Sequence, residues 1–257
     1  SGGGARITSQ PADRASSRRR GERLASTIFL FGVVMAQRPP HLSILHEDDL
    51  IVAVVKPPGI PTAHAPRGET SVYSLLREKR PFVGVVSRLD EPVSGVVLFG
   101  KTGAAAASLA EQFREREVAK DYVAVVEGRF PAPIGEWVEW VDQLPPIGGD
   151  RDPARAGETG REARLRARVV RRSGEVSLVE LEPATGRKHQ LRRQLALRRC
   201  PIVGDRRYGA RLPFPEGIAL HARSIAFGHP RAGTPVRLEA PLPPVWRTRF
   251  ASLLGGG

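Results

Sequence analysis

The sequence is nearly free of cysteine. Cys200 is the single one among 257 residues, so the chain cannot close an internal disulfide and has no cysteine cluster that would bind zinc. Chains that depend on no disulfide are typical of reducing compartments. We therefore expect a cytoplasmic protein.

The common metal and nucleotide motifs are missing as well. The sequence has no Gly-rich phosphate loop with its lysine, no His-Glu-x-x-His and no dinucleotide-binding fingerprint. No serine stands in a Gly-x-Ser-x-Gly turn, which is the signature of the α/β-hydrolases. If the chain is an enzyme, we expect it to work without a metal ion or a cofactor.

The sequence also lacks an apolar run that could span a membrane. The best candidate, residues 24–34, is shorter than the roughly 20 residues that a transmembrane helix needs. It follows a basic stretch and so loosely resembles a secretory signal, which would favour a secreted hydrolase. Because domain-like sequence begins just after Met35, the only methionine, we instead expect residues 1–36 to be a disordered or non-native extension.

Acidic residues are scarce relative to basic ones. The chain has 40 Lys and Arg against 27 Asp and Glu, a net charge of +13. Most of the excess lies in residues 151–211, which hold 17 basic residues, nearly all arginine, and 7 acidic ones. Arginine binds phosphate through a planar, two-pronged group, and a concentrated basic segment is typical of nucleic-acid binding. A solvated face of an arginine-rich protein is the alternative.

Strand patterns dominate the rest of the sequence. The alternation of apolar and polar residues and the turn signals predict strands at 51–55, 95–99, 120–128, 163–172, 175–183, 217–230 and 234–244. Helices are expected at 102–118 and 186–199, and a loop at 131–160 with a short edge strand at 136–140. These elements predict one α+β domain over residues 37–253, with a mixed, largely antiparallel sheet, flanking helices and a central basic cleft.

Polar residues at the ends of these elements are the candidates for a site. Arg88 and Asp90 lie in a turn with Pro and Gly directly before a strand, and Tyr122 begins another strand. The helix predicted at 186–199 carries four more on its first turns, namely Arg187, His189, Gln190 and Arg192. Taken singly, each has an ordinary structural interpretation as a turn residue, a strand residue or part of a solvated helix face.

Five blocks, in order along the chain, carry a family resemblance. They are LIVAVVKPPGIPT, SRLDEPVSGVVLFGKT, FREREVAKDYVAVVEG, LEPATGRKHQLRRQLALRRCPIVGDRRYG and LHARSIAFGHP. They resemble the conserved blocks of RNA pseudouridine synthases of the RluA type. The resemblance implies an enzyme that isomerises specific uridines in structured RNA, either ribosomal or transfer RNA, to pseudouridine. It implies RNA as the partner, and we expect a monomer.

The resemblance also implies a role for each matching residue. Asp90 matches the essential carboxylate, Tyr122 the ring that stacks on the target base, and Arg192 the partner of the carboxylate. An ion pair with Arg192 would keep Asp90 ionised, as a nucleophile or as a base that stabilises positive charge on the sugar. RNA contacts are expected from Arg88, Arg187, His189, Gln190 and Lys56. Of these, Arg88 is expected to help displace the target nucleotide from its helix.

Two positions depart from the family motif around Asp90. Ser87 stands where the family has histidine, and Val93 stands where it has threonine. Neither is the carboxylate, so the departures bear on the hydrogen bonding of the loop and on how Arg88 is held. Nothing before Lys56 resembles the small N-terminal RNA-binding domain of many relatives. An RNA-binding protein that has kept the fold and lost the reaction is the main alternative.

Overall fold

In the computed structural model, residues 42–65, 70–147 and 160–255 are described. The extension predicted at 1–36 and the start of the domain at 37 lie outside these ranges and stay predictions. Within the ranges, no helix is both long enough and apolar enough to cross a membrane.

The described residues form one mixed sheet of ten strands. These are β1 (Ser43–Glu47), β2 (Ile51–Lys56), β3 (Gly84–Val85), β4 (Ser94–Gly100), β5 (Ala119–Glu127), β6 (Trp137–Leu144), β7 (Arg161–Ser173), β8 (Val176–Pro183), β9 (Leu220–Gly228) and β10 (Pro235–Glu239). The order is β1-β2-β4-β9-β5-β8-β7-β6, with β10 on β9 and β3 on β4. The β4–β9 pair is parallel and the other strand pairs in this part of the chain are antiparallel. The predicted single α+β domain with a mixed, largely antiparallel sheet is thereby confirmed.

Short helices flank the sheet. They are α1 (Val72–Arg77), α2 (Gly103–Arg114), α3 (Gln190–Leu197), α4 (Pro244–Arg249) and α5 (Ala251–Leu254). Helix α2 begins after Thr102, whose side chain accepts a hydrogen bond from the Ala105 amide, and buries Leu109 completely. It ends four residues before the predicted position 118, and Arg116 beyond it has a left-handed φ of 63°.

Two predicted elements differ from the structure in a way that affects the site. Helix α3 begins at Gln190 and not at 186, because His189 adopts a left-handed conformation with φ 54° and ψ 29°. Arg187 and His189 therefore lie in the loop that enters the helix, and not on its first turns. The loop predicted at 131–160 contains β6, an eight-residue strand that is longer than the edge strand expected there.

The parallel contact between β4 and β9 depends on a glycine. Gly95 has a φ of 124°, and a Cβ at this position would lie 2.3 Å from the Ala222 carbonyl oxygen. Beside it, the Ser94 hydroxyl lies 2.9 Å from His221 Nδ1, and His221 Nε2 donates to the Ala240 carbonyl at 3.2 Å. This contact fixes the loop before β4 close to β5, the neighbour of β9 on its other side.

Candidate active site

A cleft of about 580 Å³ opens on one face of the sheet. Its walls come from the loop 86–93, from β5 and β9, and from the segment 185–192, and Leu220 contributes apolar surface. Seven of the eight predicted site residues line it, namely Arg88, Asp90, Tyr122, Arg187, His189, Gln190 and Arg192. Residues that are far apart in the sequence therefore meet in one cavity.

The eighth predicted residue, Lys56, does not face the cleft. Its ammonium is fully buried and donates to the carbonyl oxygens of Pro57 and Ile60 at 2.8 Å and of Glu91 at 2.9 Å. Three carbonyls use all three of its donors, so Lys56 has no free donor for the RNA contact that was predicted for it. Burial lowers the pKa of Lys56 to about 7, although the charges of Glu91 and Asp90 act in the opposite direction. The hydrogen bond from Lys56 to the Glu91 carbonyl thus fixes the backbone next to Asp90.

Two hydroxyl groups complete the support of this loop. The Thr62 hydroxyl donates to the Leu89 carbonyl and accepts from the Leu89 amide, both at 3.0 Å. The Ser87 hydroxyl donates to the Leu98 carbonyl at 3.3 Å and accepts from the Leu98 amide at 3.1 Å. Ser87 therefore ties the loop to β4, which gives the first departure from the family motif a structural role. Val93, the second departure, is buried in the apolar core.

Asp90 faces an arginine that is shared with a second carboxylate. Arg192 Nη1 lies 3.2 Å from Asp90 Oδ2, while its Nε and Nη2 donate to the two oxygens of Asp205 at 2.7 and 2.8 Å. The Arg192 and Asp205 side chains are only 6 % and 1 % exposed, against 27 % for Asp90. Burial disfavours the charged guanidinium, but the hydrogen bonds and charges of Asp205 and Asp90 outweigh it and raise the pKa of Arg192. The guanidinium is thus held from behind by Asp205 and presents its free edge to Asp90.

Tyr208 joins this arrangement to His189. The Arg192 guanidinium carbon lies 4.9 Å from the centre of the Tyr208 ring, and the Tyr208 hydroxyl is 2.8 Å from His189 Nδ1. The other ring nitrogen, Nε2, lies 3.9 Å from Asp90 Oδ2. Burial lowers the pKa of His189; the charge of Asp90 opposes this, and that of Arg192 adds to it. His189 is therefore a neutral neighbour of the carboxylate at neutral pH.

Tyr122 lines the cleft from strand β5. It lies in register with Leu181 of β8 and Ala222 of β9, next to a bulge between Asp121 and Tyr122 in the β5–β9 pairing. Burial, and then the negative charge of Asp90, raise the pKa of the Tyr122 phenol. The ring is therefore uncharged, half-buried and exposed to the cavity on one side.

The remaining lining residues differ in how freely they could contact a ligand. Arg88 is exposed, and no hydrogen bond of its side chain is found within the described ranges. Arg187 Nε donates to the Glu162 carbonyl at 2.9 Å. The Gln190 side chain is buried and bonds to Thr185, to the Arg187 amide and to a carbonyl of β7, so it shapes the loop more than the cavity.

A family model described as RNA pseudouridylate synthase matches residues 50–197, which is more than half of the chain. The chain belongs to this family. Ribosomal large subunit pseudouridine synthase D of Xanthomonas campestris is 34 % identical over 223 residues, covering 79 % of this chain and 66 % of that protein. Ribosomal large subunit pseudouridine synthase C of Pasteurella multocida is 34 % identical over 222 residues, covering 82 % of this chain and 67 % of that protein. The chain thus spans about two thirds of its curated relatives, and slightly less of the first one.

Solved structures of the pseudouridylate synthase family share the fold. Human RNA pseudouridylate synthase domain containing 4 superposes with a TM-score of 0.66 at 23 % identity, covering 82 % of this chain and 93 % of that one. Human RNA pseudouridylate synthase domain containing 1 superposes with a TM-score of 0.65 at 25 % identity, covering 80 % of this chain and 86 % of that one. The family model and the curated relatives confirm the resemblance that the five sequence blocks carry, and the solved structures confirm the fold.

In this member of the pseudouridylate synthase family, the sequence analysis missed two residues that shape the site. Asp205 and Tyr208 lie in the return after α3, within the block GDRRYG. The signal was present: Asp205 is the one acidic residue between Glu182 and Glu216. A lone acid in an arginine-rich stretch is a candidate for a buried ion pair, although its sequence cannot say which arginine it meets.

Proposed function

We propose that this chain converts specific uridines of structured RNA to pseudouridine, with Asp90 as the essential carboxylate. The observation that carries the proposal is the 3.2 Å contact between Asp90 Oδ2 and Arg192 Nη1 in a cleft that the Tyr122 ring also lines. The relatives are named for the large ribosomal subunit, so ribosomal RNA is the first substrate to test and transfer RNA the second. A cytoplasmic location follows from that substrate, and the monomeric state stays a prediction.

The proposed reaction rearranges uridine without adding or removing a heavy atom. The bond between C1′ of the ribose and N1 of the base breaks, the base turns, and C1′ bonds to C5. The hydrogen on C5 leaves as a proton and N1 takes up a proton, so no oxidant or reductant takes part. Breaking a glycosidic bond builds positive charge on the sugar, which a carboxylate can stabilise by its charge or by bonding to C1′.

The geometry of Asp90 suits this step. Arg192 uses only Oδ2, and Oδ1 has no hydrogen-bond partner within the residues that the structure describes. With 27 % of its side chain exposed, Asp90 can approach a ribose from the cleft while Arg192 holds its orientation. The supports from Lys56 and Thr62 hold the loop at both neighbours of Asp90, which reduces the reorganisation needed before reaction.

The cleft also suits a base that has left its helix. An enzyme cannot reach C1′ and C5 of a stacked uridine, so we propose that the target nucleotide flips into the cleft. The uncharged ring of Tyr122 offers a stacking surface that offsets the stacking lost in the RNA. Arg88 stands exposed at the rim of the cleft, where it can contact the displaced nucleotide or its phosphate.

Tritium release tests the proposal directly, because the C5 hydrogen leaves during the reaction. A large-subunit ribosomal RNA transcript labelled with [5-³H]uridine is incubated with the wild type, Asp90→Asn and Glu91→Gln. We expect release from the wild type and from Glu91→Gln, which loses a neighbouring carboxylate of the same loop, and a rate at least about 100-fold lower from Asp90→Asn. Equal release from the wild type and Asp90→Asn would show that Asp90 is not essential. RNA binding by a wild type that releases no tritium would favour the inactive RNA-binding alternative.

A further inference from the structure

The described arginines of the basic segment 151–211 are of two kinds, and Arg166 and Arg168 of β7 are of the kind that is already paired. Arg166 Nη1 lies 2.8 Å from Glu182 Oε2, and Arg168 forms an ion pair with Glu180. Both guanidinium carbons also lie 4.7 Å from the centre of the Trp137 ring. These charges are therefore offset within the protein and contribute little to the attraction of a polyanion.

The paired arginines also lie on the face of the sheet that points away from the cleft, so they do not face an RNA bound there. Tyr122 is in register with Leu181, and residues directly opposite each other in a sheet share a face. Because successive side chains of a strand alternate between faces, Glu180 and Glu182 lie on the face away from Tyr122. Their partners Arg166 and Arg168 lie there too.

The second kind of basic residue lies between 187 and 211, beyond β8. Arg192 and Arg198 of this stretch are paired with acids. The others form no ion pair with an acidic side chain in the part of the chain that the structure describes, and most are exposed: Arg187, Lys188, Arg193, Arg199, Arg206, Arg207 and Arg211. The uncompensated charge of the basic segment is thus concentrated on α3 and on the return that follows it.

That return ends at a second cavity, of about 810 Å³, at the far end of β5. Arg129, Arg172 and Arg211 contribute to its lining. The acid beside them, Glu127, is buried and accepts the backbone amides of Arg211 and Leu212 at 2.8 to 3.0 Å, so its charge is already bound by N–H groups. The other acid of the lining, Glu175, stands exposed at the turn between β7 and β8.

Arg172 adds a third guanidinium to the lining of this cavity, with one donor that no protein acceptor satisfies among the residues described. Its Nη2 donates to the carbonyl oxygens of Phe130, at 3.1 Å, and of Ala132. Its Nε–H is buried and has no acceptor among the residues described. A buried donor left without a partner is destabilising, and an acceptor that reaches it removes this cost.

The two cavities are joined by one stretch of chain. Arg192 lies in the cleft and Arg211 in the second cavity, and the segment between them runs beside β5, where the Val203 amide donates to the Val125 carbonyl at 2.9 Å. Along β5, the cavities are separated by the four-residue step from Tyr122 to Val126, about 13 Å at 3.3 Å per residue. Val126 is in register with Ser177, and Ser177 with Arg172, so these residues share the face of Tyr122. An RNA that places one nucleotide in the cleft can therefore reach the second cavity within a few nucleotides.

We propose that the cavity lined by Arg129, Arg172 and Arg211 binds a backbone phosphate of the same RNA whose uridine enters the cleft. The exposed basic residues between 187 and 211 form the path from one to the other. The proposal rests on the proposed function for its ligand, and it assigns RNA contact to this path and not to Arg166 and Arg168 of β7. A free phosphate ion has the same chemistry as a backbone phosphate, so the test must separate the two.

Two double variants with the same change of charge test the assignment. Arg129→Gln with Arg211→Gln removes two exposed charges of the cavity, and Arg166→Gln with Arg168→Gln removes two paired charges of β7. The dissociation constant for a fluorescently labelled in vitro transcript of large-subunit ribosomal RNA is measured at several salt concentrations. The logarithm of the binding constant falls as the logarithm of the salt concentration rises. Each lost phosphate contact reduces the magnitude of this negative slope by about 0.7–0.9. We expect a decrease of at least about 0.7 for the cavity pair and none for the β7 pair.

The outcomes that overturn the proposal are distinct from failure of the proposed function. Equal slopes for the two double variants, or a larger decrease for the β7 pair, would overturn it. So would loss of inorganic phosphate binding in the cavity pair with an unchanged RNA slope, which would indicate a site for the free ion. If the cavity pair does not fold, as judged by circular dichroism, the single variant Arg129→Gln takes its place with the same expected sign. A wild type that shows the expected slopes but releases no tritium contradicts only the proposed function.

Discussion

Replacing Asp205 by asparagine should reduce the reaction rate without removing any group that touches the substrate. Asp205 holds two nitrogens of Arg192 at 2.7 and 2.8 Å, and the third nitrogen meets Asp90 at 3.2 Å. The amide keeps one acceptor oxygen but presents an N–H₂ group to the other guanidinium nitrogen. We expect the guanidinium to turn away from that N–H₂ group and to lose its alignment with Asp90.

The burial of the ion pair sets the expected loss of stability, and the displacement of the Arg192 guanidinium sets the expected loss of reaction rate. Removing one partner of a buried ion pair costs about 3–5 kcal/mol, and since asparagine retains one hydrogen bond we expect the lower end, about 3 kcal/mol. For a domain of this size that corresponds to a fall in Tm of about 6–12 °C. A displacement of about 1 Å in a catalytic arrangement can cost about 100-fold in rate, so the single-turnover rate should fall by one to two orders of magnitude.

Asp142→Asn is the matched control. Asp142 pairs with Arg198 at 3.0 Å and accepts from Gln194, so it supports the same helix α3 without lining the cleft. It should lose about 1–2 kcal/mol of stability and keep the wild-type rate. Rates are measured by tritium release at saturating RNA, well below the lower of the two Tm values. If Asp205→Asn melts early yet reacts at the wild-type rate, Arg192 does not need Asp205 to serve Asp90, and the reasoning is wrong.

Three further predictions concern other parts of the structure. Gly95→Ala should lower Tm strongly, because its Cβ would lie 2.3 Å from the Ala222 carbonyl, whereas Gly103→Ala, with open space around it, should be neutral or stabilising by up to about 1 kcal/mol. His221 is buried with its pKa lowered to about 4, so stability falls as pH drops below about 6.5; urea unfolding should show a loss of about 2 kcal/mol between pH 7 and 5 that His221→Gln does not show. Tyr122→Phe should keep the single-turnover rate within about 10-fold and Tyr122→Ala should not, since a stacking role needs the ring and not the hydroxyl.

Strands of the sheet were predictable because their own sequences show the patterns typical of strands. The alternation at 163–172 and 175–183 and the apolar runs at 51–55 and 95–99 each gave a strand at nearly the right place. The short helices α1, α4 and α5 were not foreseen, since helices of four to six residues depend on packing more than on their own sequence. The start of α3 was wrong for a related reason, because the left-handed backbone of His189 is held by its contact with Tyr208.

The site was predictable only through the family resemblance. Local sequence could place Asp90 in a turn and Tyr122 at the start of a strand, but their meeting depends on the parallel pairing of β4 with β9 and on the position of β5. The burial of Lys56 was not predictable, because a lysine in a Pro-Gly turn has the local signature of an exposed one. Asp205 was missed for the opposite reason, since its burial is decided by residues that lie elsewhere in the chain.

The floor of the cleft and its rim carry charge of opposite sign. Asp90 and Asp205 share the single guanidinium of Arg192, so these three groups together keep one net negative charge. In the proposed reaction that charge stabilises the positive charge which develops on the ribose, and it does so from fixed positions. The same charge repels RNA phosphates, and the exposed basic residues between 187 and 211 offset this repulsion at the rim. The overall charge of +13 is a sum over the whole chain in which these three groups count for only −1, which is why composition could indicate a nucleic-acid partner but not the reaction.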